Sequence, residues 1–347
     1  MSETFLAEIR EQPEALRRLV ESRGEVEAFG KALAERGVQE VRLVGHGSSD
    51  AAASYGVYAF GLLPGWTAFR DSISLSTYYR AELDLSRSLV IALSQSGRTP
   101  DVVAYSRHAR DRGALTVAVT NEPGSELAET AEWTLPLHAG EERAVAASKT
   151  LLNTFALLGL LAGVAAGRGG EVADGVQACA ALIEDALPGL EEAVPRIAST
   201  FAYVGRMYVI GRGIEFGTAR EVALKLTETC RIAAEPVTST DLAHGPIAAL
   251  DAMFPVWTIA SRDECLPALV AAAELARKAG ATLVATGSAA DEVPDASFRL
   301  PVPEAPLPVL SPLLSLVPGQ LFAAALSRAK GLNADQPSGL TKVTLAQ

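Results

Sequence analysis

The sequence predicts an α/β protein of two tandem three-layer α/β/α domains, each built on a parallel sheet. Three observations carry that expectation: short apolar runs alternate with helical stretches, as βαβ units require; the pattern restarts half-way along the chain; and the restart keeps a nearly constant offset. Strands are expected over 41–45, 89–93, 114–120 and 134–137, with helices between them. The stretch GRGGE at 167–171 follows an apolar helix and is the linker candidate, after which an alanine-rich helical stretch runs to about residue 200. Then MYVIGRG at 207–213 echoes VRLVGHG at 41–47, and VWTIAS…ARKAGATLVATG at 256–287 echoes LVIALS…ARDRGALTVAVT at 89–120. LPL at 135 is matched by LPV at 300. An offset of about 165 to 167 across three blocks indicates a duplicated domain, each copy flavodoxin-like. The expected organisation is N-terminal helices over 1–37, a first copy over 38–168, linker helices over 169–200, a second copy over 201–332 and a tail over 333–347.

Bulk properties narrow the function. With 347 residues, 49% of them hydrophobic, two sizeable cores can be filled. A net charge of -11 argues against a nucleic-acid partner, which calls for a clustered basic face. The opening MSETFLAEIREQPEALRRLV has no apolar h-region, so no signal peptide is read and a cytoplasmic location is expected. The longest apolar run, 155–166, falls short of a membrane span, and no membrane partner is expected. Three widely spaced cysteines and four histidines show neither a disulfide framework nor metal-ligand spacing, so no metal is expected. The turn Gly45-His46-Gly47 lacks the continuation of a dinucleotide fingerprint, and no cofactor is expected.

The most informative local feature is LSQSGRTPD at 93–101, directly after an apolar run. In an open parallel sheet, ligands bind beyond the carboxyl ends of the strands, where helix N-termini present free N–H groups to an anion. Ser94, Gln95, Ser96 and Thr99 occupy that place, and Gly97 lets backbone approach closely. A helix N-cap needs only one such residue, so four within six positions favour a phosphate shell. Gly47-Ser48-Ser49 falls at the same sheet edge and can add donors. In the second copy the equivalent strand runs into Ser261, Arg262, Asp263 and Glu264 instead.

The second copy carries EVALKLTE, with Glu221, Lys225 and Glu228 on one helix face. Spacing alone reads as an exposed Glu-to-Lys pair of about 0.3 to 0.5 kcal/mol. DLAHGP places His244 in a loop closed by Gly-Pro, and the last ten residues, SGLTKVTLAQ, hold one lysine, Lys342, in a mildly apolar tail of the kind that usually frays.

In this order and spacing, LSQSGRTPD, EVALKLTE, LAHGPIAALD and DQPSGLTKVT resemble the four hallmark segments of the double sugar isomerase (SIS) domain family, which includes the isomerase half of glucosamine-6-phosphate synthase and stand-alone glucosamine-6-phosphate deaminases. The resemblance runs from about residue 41 to the end of the chain. It implies that Ser94, Gln95, Ser96 and Thr99 grip the sugar phosphate, with Ser48 and Ser49 from the first glycine turn. Glu228 matches the carboxylate that moves a proton between C1 and C2, supported by Lys225 and Glu221. His244 matches a histidine that assists ring opening and is donated to the neighbouring subunit, implying a homodimer. Lys342 matches a tail lysine able to form a Schiff base with the ketose carbonyl; an apolar tail closing over the site would lower its pKa. AVAASK at 144–149 resembles a loop over the sugar, placing Ala146, Ala147 and Lys149 against substrate. This sequence departs from the family in Ala147, where a serine stands, in Ser338-Gly339, where the synthase has Arg-Asn, and in His46, where it has cysteine.

What this implies is a hexose or hexosamine 6-phosphate as partner. Because only about forty residues precede the first strand, no glutaminase is expected, which favours isomerising deamination of glucosamine 6-phosphate to fructose 6-phosphate and ammonia. A fructosamine-6-phosphate deglycase and an aldose–ketose phosphosugar isomerase are the enzymatic alternatives. A non-catalytic phosphosugar sensor is the alternative of another class.

Overall fold

The computed structural model describes residues 3–343. Two parallel five-stranded sheets organise it. The first contains β1 (Glu40–Val44), β2 (Thr67–Arg70), β3 (Ser88–Leu93), β4 (Leu115–Thr120) and β5 (Trp133–Pro136), in the order β2-β1-β3-β4-β5. The second contains β6 (Arg206–Gly211), β7 (Ala233–Thr238), β8 (Val256–Ile259), β9 (Leu283–Gly287) and β10 (Phe298–Pro301), in the order β10-β9-β8-β6-β7. Read from the other edge this is the same 2-1-3-4-5 order, the doubly wound flavodoxin-like arrangement, so the duplication seen in sequence is a duplication of topology.

Central strands form where the chain is apolar without interruption. SLVIAL of β3 and LTVAVT of β4 are buried at every position, as strands covered by helices on both faces must be. The edge strands β2 and β7 are different. TAFR is exposed at both ends, and AAEPVT carries Pro236, which an edge accepts because one N–H can be spared. Neither has the apolar run by which the other strands are read, and both were missed in the sequence.

By contacts the described residues divide into two compact units, 14–142 with 149–177 and 341–343, and 3–13 with 143–148 and 178–340. The first unit, that of the first copy, packs Val44, Val90, Ala92, Val102, Tyr105 and Leu127 into one core. The second, that of the second copy, packs Ile210, Val256, Leu269, Leu283 and Val293 into another. The stretch read as linker helices is one 32-residue helix, Gly169–Thr200. The segment Pro308–Ala329 is long and apolar enough to cross a membrane by length and composition, yet 94% of its apolar window is buried in the fold, as in a core helix.

Candidate functional site

In the first unit, the expected phosphate ligands cluster where β1 and β3 end. Register pairs Val44 with Ala92, which sets the two following turns side by side. Gly45 is needed there: a Cβ would meet Ser49 Cβ at 2.8 Å and the Leu93 carbonyl at 3.1 Å. The chain then enters the helix Ser48–Leu62 with Gly47 at its cap, and no side chain caps that helix start. After β3, Ser94 is buried and its hydroxyl lies 3.0 Å from Thr99 Oγ1. Thr99 stands in the N-cap position of the helix Pro100–Asp111, but its side chain makes no cap hydrogen bond. The helix-capping explanation of this hydroxyl group therefore does not account for it.

Between them, Gly97 adopts φ +61° and donates its N–H to the Ser94 carbonyl at 3.1 Å; a Cβ there would fall 1.9 Å from Ser125 Oγ. The Gln95 carbonyl accepts from Asn121 N–H at 3.0 Å and Thr120 Oγ1 at 3.1 Å, tying the turn to the end of β4. Ser96 Oγ accepts from Arg98 N–H at 3.3 Å. Two helix starts with hydroxyls between them are an arrangement suited to a phosphate. Lys149 is buried at the start of the helix Lys149–Ala165 in the same unit.

Lys342 also belongs to this unit. Its Nζ sits 2.7 Å from Glu142 Oε2, a carboxylate whose side chain is fully buried. Thr150 donates to the same carboxylate from its N–H at 3.0 Å and its hydroxyl at 2.7 Å. Burial pushes the Glu142 carboxyl up, but the Lys342 ammonium and the Thr150 donors outweigh it and hold it below the usual carboxylate range. The tail lysine, expected to fray or to lie under an apolar cover, is instead anchored on a buried negative charge. Ala146 and Ala147, expected beside Lys149 on one loop, group with the other unit, where the neighbouring Val145 N–H donates to the Asp335 carbonyl at 2.9 Å.

In the second unit, the helix Phe216–Cys230 carries the proton-transfer candidates. Lys225 Nζ bonds to Glu228 Oε2 and lies 3.4 Å from Glu221 Oε1, with side-chain exposures of 1% for Lys225, 0% for Glu221 and 23% for Glu228. The exposed-pair reading of this spacing is thus corrected. The helix is covered by the apolar helix Ser311–Ala329, where a Cβ on Gly319 would lie 2.4 Å from Val222 Cγ2. Burial lowers the Lys225 pKa, but its two carboxylate neighbours outweigh that and raise it, so the lysine is a permanent cation. Glu221 holds the lysine from inside, and Glu228 alone of the three faces an open space.

That space is a cavity of about 600 Å³ whose lining includes Thr227, Glu228, Arg231, Asn333, Gln336 and Ser338. His244 is exposed at the end of the short helix Ser239–Ala243, whose N-cap Thr238 accepts from Asp241 N–H at 3.1 Å. The following Gly245 adopts φ +147°.

Comparison with known proteins bears on both units. The SIS domain family matches twice, over residues 38–163 and 200–327. The chain belongs to the SIS family. A glutamine–fructose-6-phosphate aminotransferase (isomerizing) from Corynebacterium glutamicum is 32% identical over 361 residues, covering 96% of this chain. The chain spans 57% of the length of that relative. The C-terminal domain of glucosamine-fructose-6-phosphate aminotransferase from Francisella tularensis superposes with TM-score 0.89 at 24% identity, covering 97% of this chain and 99% of that one. A glucosamine-6-phosphate deaminase from Thermotoga maritima shares the fold with TM-score 0.73 at 22% identity, covering 96% of this chain and 99% of that one. This SIS chain is homologous to the isomerase half of the aminotransferases.

Two site features of this SIS chain escaped sequence reading. Glu142 carries no local signal, because its partner Lys342 is 200 residues away. Arg231 follows Glu228 by one helical turn, but its place in the cavity depends on the tail folding back as residues 331–340 do.

Proposed function

We propose that this chain is an isomerising deaminase that converts glucosamine 6-phosphate to fructose 6-phosphate and ammonia. The observation that carries it is the graded burial of the charged trio: Glu221 and Lys225 are sealed, while Glu228 opens onto the cavity. Aldose–ketose interconversion at C1 and C2 needs one carboxylate that takes a proton from one carbon and returns it to the other through an enediol-type intermediate. Glu228 fills that role, and the Lys225 cation, itself held by Glu221, fixes its orientation. The 6-phosphate is assigned to Ser94, Ser96, Thr99 and the N–H groups around Gly97, with Gln95, Ser48, Ser49 and Lys149 supporting.

Lys342 is assigned to the carbonyl chemistry, with Glu142 setting its position, and Ala146 and Ala147 to the sugar-covering loop. His244, exposed beside a flexible glycine, is assigned to ring opening in a second copy of the chain, within a homodimer. The nitrogen is drawn from the relatives, whose names record amino-sugar phosphate chemistry.

The test mixes purified protein with glucosamine 6-phosphate and follows ammonia and fructose 6-phosphate together. Equal amounts of both are expected, with turnover reduced about 10²- to 10⁴-fold in Glu228→Gln. Turnover of the Glu228→Gln variant at the normal rate, or no release of either product by the unaltered protein, would overturn the reading.

A further inference from the structure

The N-terminal helix Glu3–Arg10 has no part in the site as assigned, yet it is tied to two segments that do. Glu8 is 4% exposed on that helix, and its carboxylate accepts the Arg143 N–H at 2.5 Å and the Ala144 N–H at 3.3 Å. The next N–H along the chain, that of Val145, goes to the Asp335 carbonyl at 2.9 Å. Asp335 in turn presents its carboxylate to the start of the same helix, where the Phe5 N–H donates at 2.8 Å and the Thr4 N–H at 3.3 Å. Three consecutive N–H groups of a loop without regular structure are thus taken up by one helix and by the residue that caps it. All of these residues belong to the second unit.

A helix start is ordinarily capped by a side chain just before it. Here the acceptor comes from 330 residues further along, so the bond that closes the helix also places the tail. The helix dipole favours a carboxylate at that end. Glu8 is buried, where an ionised carboxyl group is costly unless it is hydrogen-bonded. Because these two partners are backbone N–H groups, it fixes the course of the loop whatever side chains the loop carries. At the far end of the loop, the Ser148 carbonyl accepts from Gln320 at 3.5 Å, and Gln320 accepts from the buried Gln12 at 2.5 Å.

We propose that Glu8 and Asp335 are positioning residues, through which the N-terminal helix sets both the sugar-covering loop and the tail side of the Glu228 cavity. This rests on the roles assigned to that loop and that cavity above. Ala146 directly follows Val145, and Asp335 stands between the cavity residues Asn333 and Gln336, so a shift at either anchor passes straight into the surroundings of the substrate. The two anchors control different quantities. Glu8 holds a loop assigned to cover the sugar, and so acts on binding. Asp335 holds the tail beside the proton-transferring carboxylate, and so acts on alignment in the chemical step.

The experiment compares Glu8→Ala, Asp335→Ala, Glu8→Gln and Asp335→Asn in the full chain, by amide hydrogen exchange and by turnover of glucosamine 6-phosphate. Exchange over 143–149 in Glu8→Ala, and over 333–340 in Asp335→Ala, should quicken about 10- to 100-fold, the loss of a hydrogen bond to a charged acceptor, while the sheets exchange as before. KM should rise about 10-fold in Glu8→Ala with kcat nearly kept, and kcat should fall about 10-fold in Asp335→Ala with KM nearly kept. Asp335→Asn keeps a capping oxygen and should restore most of kcat; Glu8→Gln keeps one acceptor and should restore part of the KM.

Unchanged exchange in the two segments overturns this inference and leaves the deaminase reading standing. So does exchange raised throughout the chain in step with a lower Tm and with no split between KM and kcat, the signature of a merely structural role. The expected local exchange, with no product formed by the unaltered protein, upholds the two anchors and overturns the deaminase reading instead.

Discussion

The two copies begin from the same turn and finish it in opposite ways. In the first copy, Gly45 and Ser49 lead into a rim of hydroxyls and uncapped helix starts. In the second, the offset that aligns Gly45 with Gly211 aligns Ser49 with Glu215, which is 2% exposed. Its carboxylate accepts from Thr218 Oγ1 at 2.6 Å, Ser261 Oγ at 2.5 Å and Ser315 Oγ at 2.9 Å. The second copy therefore fills the corresponding turn with a buried carboxyl side chain of its own, where the first copy has a small hydroxyl. The residues proposed to act in the second copy lie on the following helix, where the charge is arranged around Lys225. A duplicated sheet edge can thus be specialised by a single residue: hydroxyls leave room for a ligand, and a glutamate replaces it.

The largest effect expected from breaking this division lies in the second copy. Lys225→Met removes the cation that Glu221 and Glu228 share, Glu221 being fully buried, and should destabilise the fold by about 3 to 5 kcal/mol. Thermal unfolding measures it, and a loss below about 1 kcal/mol would show that the trio is not held as an ion cluster. Next comes the first copy, where the double variant Ser94→Ala, Thr99→Val removes the two hydroxyls proposed to grip the phosphate. Affinity for a hexose 6-phosphate should fall about 10- to 100-fold by calorimetry, while stability changes by about 1 kcal/mol or less. The reverse pattern, lost stability with retained affinity, would make those hydroxyls structural.

How much of this is legible in sequence follows from how local the cause is. β3 and β4 are legible because a strand buried on both faces must be apolar throughout, and the turn after β3 is legible because four hydroxyl or amide side chains crowd one strand end. β2 and β7 are not, since an edge strand such as TAFR or AAEPVT has no burial pattern to display. The spacing of Glu221, Lys225 and Glu228 shows a shared helix face but not its burial. The helix that covers it begins about ninety residues later, and short-range pattern cannot report that contact. Glu142 and Arg231 are illegible for the same reason, each acquiring its role from the tail that returns to it.

The smallest effect expected is also the most direct comparison of the two copies, because a buried glutamate in each, Glu142 in the first and Glu215 in the second, has its pKa shifted in the direction opposite to the other. Burial raises the Glu215 pKa above its ordinary value of 4.5, against the pull of its hydroxyl partners. Its stability contribution is therefore complete below that value and is lost as pH rises through the raised one. Glu142 is the converse: burial is outweighed by Lys342 and Thr150, its pKa is lowered from 4.5, and its contribution is present above that value and lost as pH falls through the lowered one. Above pH 4.5, Tm of Glu215→Gln relative to the unaltered protein should climb as pH rises, and below pH 4.5, Tm of Glu142→Gln relative to it should climb as pH falls. A stability change of about 1 kcal/mol moves Tm by about 2 to 4 °C in a domain of this size. Slopes of the same sign would mean that the two copies do not differ in how they hold their buried carboxyl groups, and the contrast between an open and a self-filled turn would fall with them.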